Sequence, residues 1–176
     1  EILLPARFEN QINIQNDRLR YVSTETRHGM IQAAKGEYVA LLNAGLVPTK
    51  NDWLKELMNI GQQETSGLVT GRVVDARYRV ETVGVSVDTD KGRLLYPEKS
   101  LGYYYRIALP RNIQAATEDC LLFNKQLYLN LEGINESLGK EWMGVDLSLQ
   151  FASAGKRNVY VSYAILKADE KMQNHD

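Results

Sequence analysis

The chain has 176 residues, 44% hydrophobic and 24% charged, close to the globular average, which excludes disorder and fibrous repeats. Lys and Arg total 21 against 22 Asp and Glu, a formal net charge of -1, so no basic field exists to hold a nucleic-acid backbone or an anionic membrane. One Cys excludes an internal disulfide framework and a multi-cysteine metal site, and two His leave little material for a histidine one.

No apolar run approaches the roughly 18 residues of a membrane span, and no signal peptide is visible, so a cytoplasmic location is expected. The chain opens on an apolar run without Met, as an excised piece does. Glu1 to Leu4 reads as a strand stopped by Pro5, and Arg20 to Val22 as a second after the turn at Asn16-Asp17. Arg27 to Lys35 is patterned as a helix, with Gly36 placed to end it at positive φ. Glu37 to Leu42 is nearly continuously apolar, as in a strand buried on both faces. The chain then turns through Asn43 to Pro48. Thr49 or Asn51 caps a helix from Trp53 to Gln62, with Trp53, Leu54, Leu57 and Met58 on one face.

Leu68 to Val74 is a further strand, and Gly84 to Asp88 alternates like a half-exposed one before a polar turn to Arg93. From Lys99 to Arg111 runs an aromatic-rich loop. Cys120 to Asn124 is an apolar strand, followed by a short helix from Lys125 to Leu131 that ends near Gly133. Val145 to Ala154 is a buried helix ending at Gly155, and Val159 to Val161 a last strand. Residues 1–170 read as one α/β domain and 171–176 as a loose polar tail.

Six pieces, in order, carry a resemblance. Arg27 to Asn43 contains Ala34-Lys35-Gly36-Glu37-Tyr38 running into an apolar strand. Pro48 to Leu57 includes Trp53-Leu54 and Leu57. Ala115-Ala116-Thr117 leads into Cys120-Leu121-Leu122-Phe123. Then come Leu131 to Glu136, Gly144 to Leu149, and Gly155 to Ala164. Together they resemble the family 2 glycosyltransferases over residues 1–170. That resemblance implies a GT-A fold, a Rossmann-like mixed sheet flanked by helices, with a nucleotide-sugar half and an acceptor half. It further implies that Glu1 to Leu4 is the second strand of the nucleotide half, with the first strand upstream and the domain N-terminally incomplete.

The same resemblance implies Mn²⁺ or Mg²⁺ on a DxD motif, but that motif falls on Asn43-Ala44-Gly45, which keeps one neutral side-chain oxygen. The general base of the family falls on Gly144, and a glycine accepts no proton. Asp146 survives, in a place where the second acidic residue more often caps or orients the helix. The downstream histidine falls near Lys167-Ala168-Asp169 and is missing, although Asp169 offers an oxygen ligand in its place. No metal ligands or cofactor are therefore expected in this stretch.

The remaining candidates each have a plain reading beside the functional one. Glu118 and Asp119, on the acceptor side, are a relocated base or metal ligand or a solvated loop pair. Glu141 is a displaced base or a surface carboxylate. Arg27 touches a diphosphate or only solvent, while Asp75, Asp88 and Asp90 read as turn residues and Cys120 as a small buried hydrophobe. Tyr103, Tyr104, Tyr105 and Arg106 form a glycan-stacking platform, a protein-docking loop or part of the core. Two functional classes follow. One is a degenerate glycosyltransferase domain that holds a glycan, a nucleotide-sugar, a protein partner or further domains of a larger enzyme. The other is an active nucleotide-sugar-dependent transferase using displaced or metal-independent groups.

Overall fold

The computed structural model describes residues 1–9, 11, 16–96 and 107–169. Tyr103 to Arg106 and the 171–176 tail lie outside them. Strands β1 (Ile2–Pro5) and β2 (Leu19–Val22) pair in parallel, from Ile2 opposite Leu19 to Pro5 opposite Val22. Pro5 closes β1 from within, a position that asks for no donated ladder bond beyond the strand end.

Helix α1 (Arg27–Ala33) starts on Thr26, whose side chain accepts the Gly29 N–H at 3.1 Å. It stops two residues earlier than its pattern, and Gly36 is not at positive φ. Side chains remote in sequence supply the ending. The Arg20 guanidinium donates to the Ala33 carbonyl, and the Lys125 ammonium to those of Gln32 and Ala34.

A seven-stranded mixed sheet follows. Its members are β3 (Tyr38–Leu42), β4 (Leu46–Pro48), β5 (Ser66–Val74), β6 (Val80–Thr82), and further along β9 (Arg111–Ile113), β10 (Cys120–Asn124) and β11 (Arg157–Ala168). The main path runs β3-β10-β5-β11-β4, with β6 on β5 and β9 on β11. The β7 (Ser86–Asp88) and β8 (Arg93–Leu95) hairpin stands apart. β5 and β11 are parallel, and β10 is antiparallel to both β3 and β5, so β3, β5 and β11 run the same way.

Strand β3 is the end of that path rather than a strand buried on both faces. Among the described residues it pairs only with β10, and Leu42 is 39% exposed. Continuous apolarity there marks an edge, not a central position. The last strand extends from three predicted residues to twelve, because its pairing with β5 shifts register between Val161 and Ile165 and so outruns the break in alternation. Gly71 makes the shift possible, since a Cβ there stands 2.5 Å from the Ala164 carbonyl oxygen.

Helices cover both faces. Leu57 of α2 (Trp53–Gly61) joins Val69, Val73, Leu122, Val161 and Leu166 on one side. On the other side, Ile31 of α1, Tyr128 of α3 (Lys125–Leu129), and Leu147 and Phe151 of α4 (Lys140–Ser153) meet Leu68, Leu121 and Phe123. Cys120 is the buried hydrophobe its surroundings suggest, and burial pushes its thiol up to about 12.

Two details of α2 differ from its pattern. Asp52 occupies the N-cap without a side-chain capping bond, while the Thr49 hydroxyl donates to the Ile165 carbonyl instead. Leu54 is 41% exposed and Trp53 is only half-buried, so the buried face is narrower than four residues. Trp53→Ala is accordingly expected to cost about 2 kcal/mol, below the usual 3–5 for a fully buried aromatic, as denaturant melts will measure.

Candidate functional site

Because β3, β5 and β11 run together, their carboxyl ends share one edge of the sheet, the edge at which open α/β sheets bind ligands. Asn43 leaves β3 there. Its N–H donates to the Asp119 carbonyl at 2.9 Å, and its Oδ1 accepts the Gly45 N–H at 3.2 Å. The Gly45 carbonyl then accepts the Asp169 N–H at 2.8 Å. The turn through Asn43, Ala44 and Gly45 thus spans from the start of β10 to the end of β11. Its one side-chain oxygen is engaged in its own turn.

This donor set does not fit the divalent ion that the resemblance implies. A hard cation wants anionic oxygens, and the turn has none. Among the described residues, no three His, Cys, Asp or Glu side chains converge as a metal site.

Glu118 and Asp119 are not a solvated loop pair. The Glu118 side chain is 13% exposed and pairs with the Arg27 guanidinium at 3.2 Å, which fastens the start of α1 to the start of β10. Arg27 therefore faces a carboxylate. Asp119 accepts the Thr117 hydroxyl at 2.6 Å, and Thr117 in turn meets the Thr82 hydroxyl at 3.3 Å.

Helix α4 starts five residues before its predicted beginning, on Gly139. Glu141 thus lies in the first turn, favourable for a carboxylate. The Tyr96 phenol stands near it. Burial, then the charges of Glu141 and Asp119, push the Tyr96 phenol above its ordinary value. Tyr96, Glu141 and Asp119 are therefore neighbours, and Tyr96 also lines a cavity of about 290 Å³ with Leu95, Arg111 and Gln114. Nothing in the residue spacing marks Tyr96, which sits in a polar hairpin far from both carboxylates in the chain.

The earlier start moves Gly144 into the helix interior. A Cβ there stands 2.6 Å from the Thr117 carbonyl carbon, 2.7 Å from the Ala116 oxygen and 2.7 Å from the Glu118 nitrogen. The position therefore lets α4 approach the 116–118 backbone closely, and no side chain of any kind fits. Asp146 is likewise mid-helix. It accepts the Gln150 amide at 2.8 Å, and Gln150 bonds both the N–H and the carbonyl of Gly133. Its contacts are those of a positioning group for the 133 turn, where φ is 82°.

On the far side of the same edge, β5 ends in a tight turn. Asp75 accepts the N–H groups of Arg77 and Arg79 at 2.9 and 2.7 Å, and the Arg79 guanidinium at 2.6 Å. Burial alone raises the Asp75 carboxyl, but these donors outweigh it and hold the group below its ordinary value. A depressed pKa gives stabilisation that is complete above the unfolded value, about pH 4, and lost as pH falls through the folded one. The Arg77 and Arg79 amide signals are expected to shift with that acid transition in NMR titration, and Asp75→Asn to abolish it. The turn also holds Tyr78 at φ 62° with 63% of its surface exposed, its ring centroid 4.8 Å from the Lys167 Nζ.

No helix among the described residues is long and apolar enough to cross a membrane. No protein-family model matches the chain. The chain is 28% identical over 163 residues to "Uncharacterized protein y4gI" of Sinorhizobium fredii, a match covering 90% of this chain and 18% of that protein. It superposes on the crystal structure of GalNAc-T7 with UDP, GalNAc and Mn²⁺ at a TM-score of 0.64 with 16% identity, covering 93% of this chain and 34% of that one. The chain thus spans about a fifth and a third of the lengths of these two proteins. The fold is a mixed α/β sheet flanked by helices, similar to a GT-A glycosyltransferase.

Proposed function

We propose that the chain is a glycosyltransferase domain of the family 2 kind, one that holds a nucleotide-sugar or glycan within a larger cytoplasmic protein and has lost metal-dependent transfer. The observation that carries this reading is the turn through Asn43, Ala44 and Gly45. It lies at the ligand-binding edge of the sheet, offers no anionic oxygen, and engages its one amide oxygen internally. The packing of Gly144 supports it, because the space a base would need is occupied by backbone. Residues 1–170 form one unit in this reading, and Tyr103 to Arg106 are its proposed recognition residues for a glycan or a protein partner.

The testing experiment incubates the chain with a panel of nucleotide-sugars and Mn²⁺ or Mg²⁺ and follows hydrolysis or transfer. The expected outcome is no turnover above the buffer rate. Metal-stimulated turnover overturns the reading.

One observation favours the alternative, an active transferase with displaced groups. Glu141 and Asp119 both stand near the Tyr96 phenol, and Glu141 is the proposed base of that reading. Turnover that survives EDTA and disappears in Glu141→Gln selects that alternative.

A further inference from the structure

The turn that lacks carboxylates bonds β11 two residues from a cation. Lys167 is opposite Val74 of β5 and Val47 of β4, two residues before the Asp169 N–H that bonds Gly45. Leu166 and Ala168, its neighbours in β11, point into the α2-side core. By alternation Lys167 therefore projects to the opposite face, the one Asp119 also takes as the residue preceding the core residue Cys120. Among the described residues the Lys167 ammonium forms no ion pair with a carboxylate. What it has instead is the ring of Tyr78.

Tyr78 is the one non-glycine residue at positive φ among those described. A bulky aromatic in that region is strained, and such strain gathers at ligand clamps when the surroundings enforce it. Here the enforcement is visible. Asp75 is buried and fixes the turn through the two arginine N–H groups and the Arg79 guanidinium. Arg79 is thereby neutralised, whereas Arg77, exposed in the same turn, carries a second cation.

We infer that Lys167, seated against Tyr78 with Arg77 in the same turn, forms a diphosphate-binding site that neutralises by direct ion pairing the charge a divalent ion neutralises elsewhere. The inference rests on the nucleotide-sugar reading of the domain and names the residues that replace its metal. The chemistry matches. An ammonium serves as a point charge for phosphate, a guanidinium binds two phosphate oxygens, and a phenol adds one neutral donor. Of the carboxylates at this edge, Asp75 is held by Arg79, Glu118 by Arg27 and Asp119 by the Thr117 hydroxyl, while Asp169 stands two residues beyond Lys167.

Calorimetric titration in EDTA with UDP and, separately, with inorganic pyrophosphate tests this. The wild-type chain is expected to bind both. Lys167→Gln is expected to weaken both by about tenfold or more, the scale of one charge-assisted phosphate contact, while Lys167→Arg stays within about threefold. Tyr78→Gly separates ligand binding from folding. It relieves the backbone strain, so its melting temperature is expected to hold or rise while affinity falls. Equal UDP binding by wild type and Lys167→Gln overturns the site and leaves the nucleotide-sugar reading standing. Lys167-dependent binding of pyrophosphate without UDP binding supports the site and removes the nucleotide. UDP binding that appears only with Mn²⁺, or no binding of either probe, overturns the inference.

Discussion

Replacing Phe123 by alanine is expected to lower the unfolding free energy by about 3–5 kcal/mol, the scale for deleting a fully buried aromatic. Phe123 is wholly buried in β10, stacked on Tyr128 of α3 at 5.2 Å and tilted against Phe151 of α4 at 5.8 Å. One side chain therefore joins the sheet to two helices. The cavity has little chance to close, because Leu121, Leu147 and Phe151 beside it are also wholly buried and Tyr128 is fixed by its own hydrogen bonds. The Tyr128 hydroxyl accepts the Ile134 N–H and meets the His28 ring nitrogen at 2.8 Å. Loosening that ring also frees the loop around Gly133. Urea melts of the variant and of Phe123→Leu give the measurement, with the leucine variant expected to lose less than half as much.

The second large effect is expected from Gly144→Asp, the change that puts back the carboxylate the family resemblance implies. Three backbone atoms of residues 116–118 stand within 2.7 Å of the new Cβ, and none of them belongs to a flexible side chain. Either α4 moves away from the 116–118 segment, or that segment moves away from α4. The Ser148 hydroxyl, which donates to the Gly144 carbonyl and accepts the Ala116 N–H, loses its geometry in both cases. Overpacking usually costs 1–3 kcal/mol, and a carboxylate driven against a carbonyl oxygen adds to it, so a loss of about 3 kcal/mol or more is expected. Ala44→Asp, on the exposed turn, is expected to stay within about 0.5 kcal/mol of the parent. Thermal melts of the two variants separate a missing carboxylate from a missing space.

The same glycine explains where the sequence was readable and where it was not. A local apolar run bounded by polar residues marks β10, and strand and pattern agree from Cys120 to Asn124. Thr26 before Arg27 likewise sets the start of α1. Helix α4 begins five residues early because Gly144 reads as a break in a helical pattern, while the real requirement is close approach to a distant backbone segment. Strands β4, β6, β8 and β9 are three residues each and gain their identity only from their partners, which no window of local sequence contains.

The site divides in the same way. The lack of carboxylates in Asn43 to Gly45 is evident in the residues themselves. The pairing of Arg27 with Glu118 and the meeting of Glu141 with Tyr96 are products of the sheet order. Lys167 looks like one cation among 21 until β5 and β11 bring Tyr78 over it.

The most direct test of the central claim, that this domain has the GT-A architecture without its carboxylate-held metal, is a thermal melt in millimolar Mn²⁺ with and without UDP, against the same samples in EDTA. A native-state ligand at a thousand times its Kd stabilises by about 4 kcal/mol, a rise of several degrees for a chain of this size. The account predicts the same melting temperature in Mn²⁺ and in EDTA, and the same increment from UDP in each. A rise of several degrees with Mn²⁺ alone, or a UDP increment that vanishes in EDTA, contradicts it.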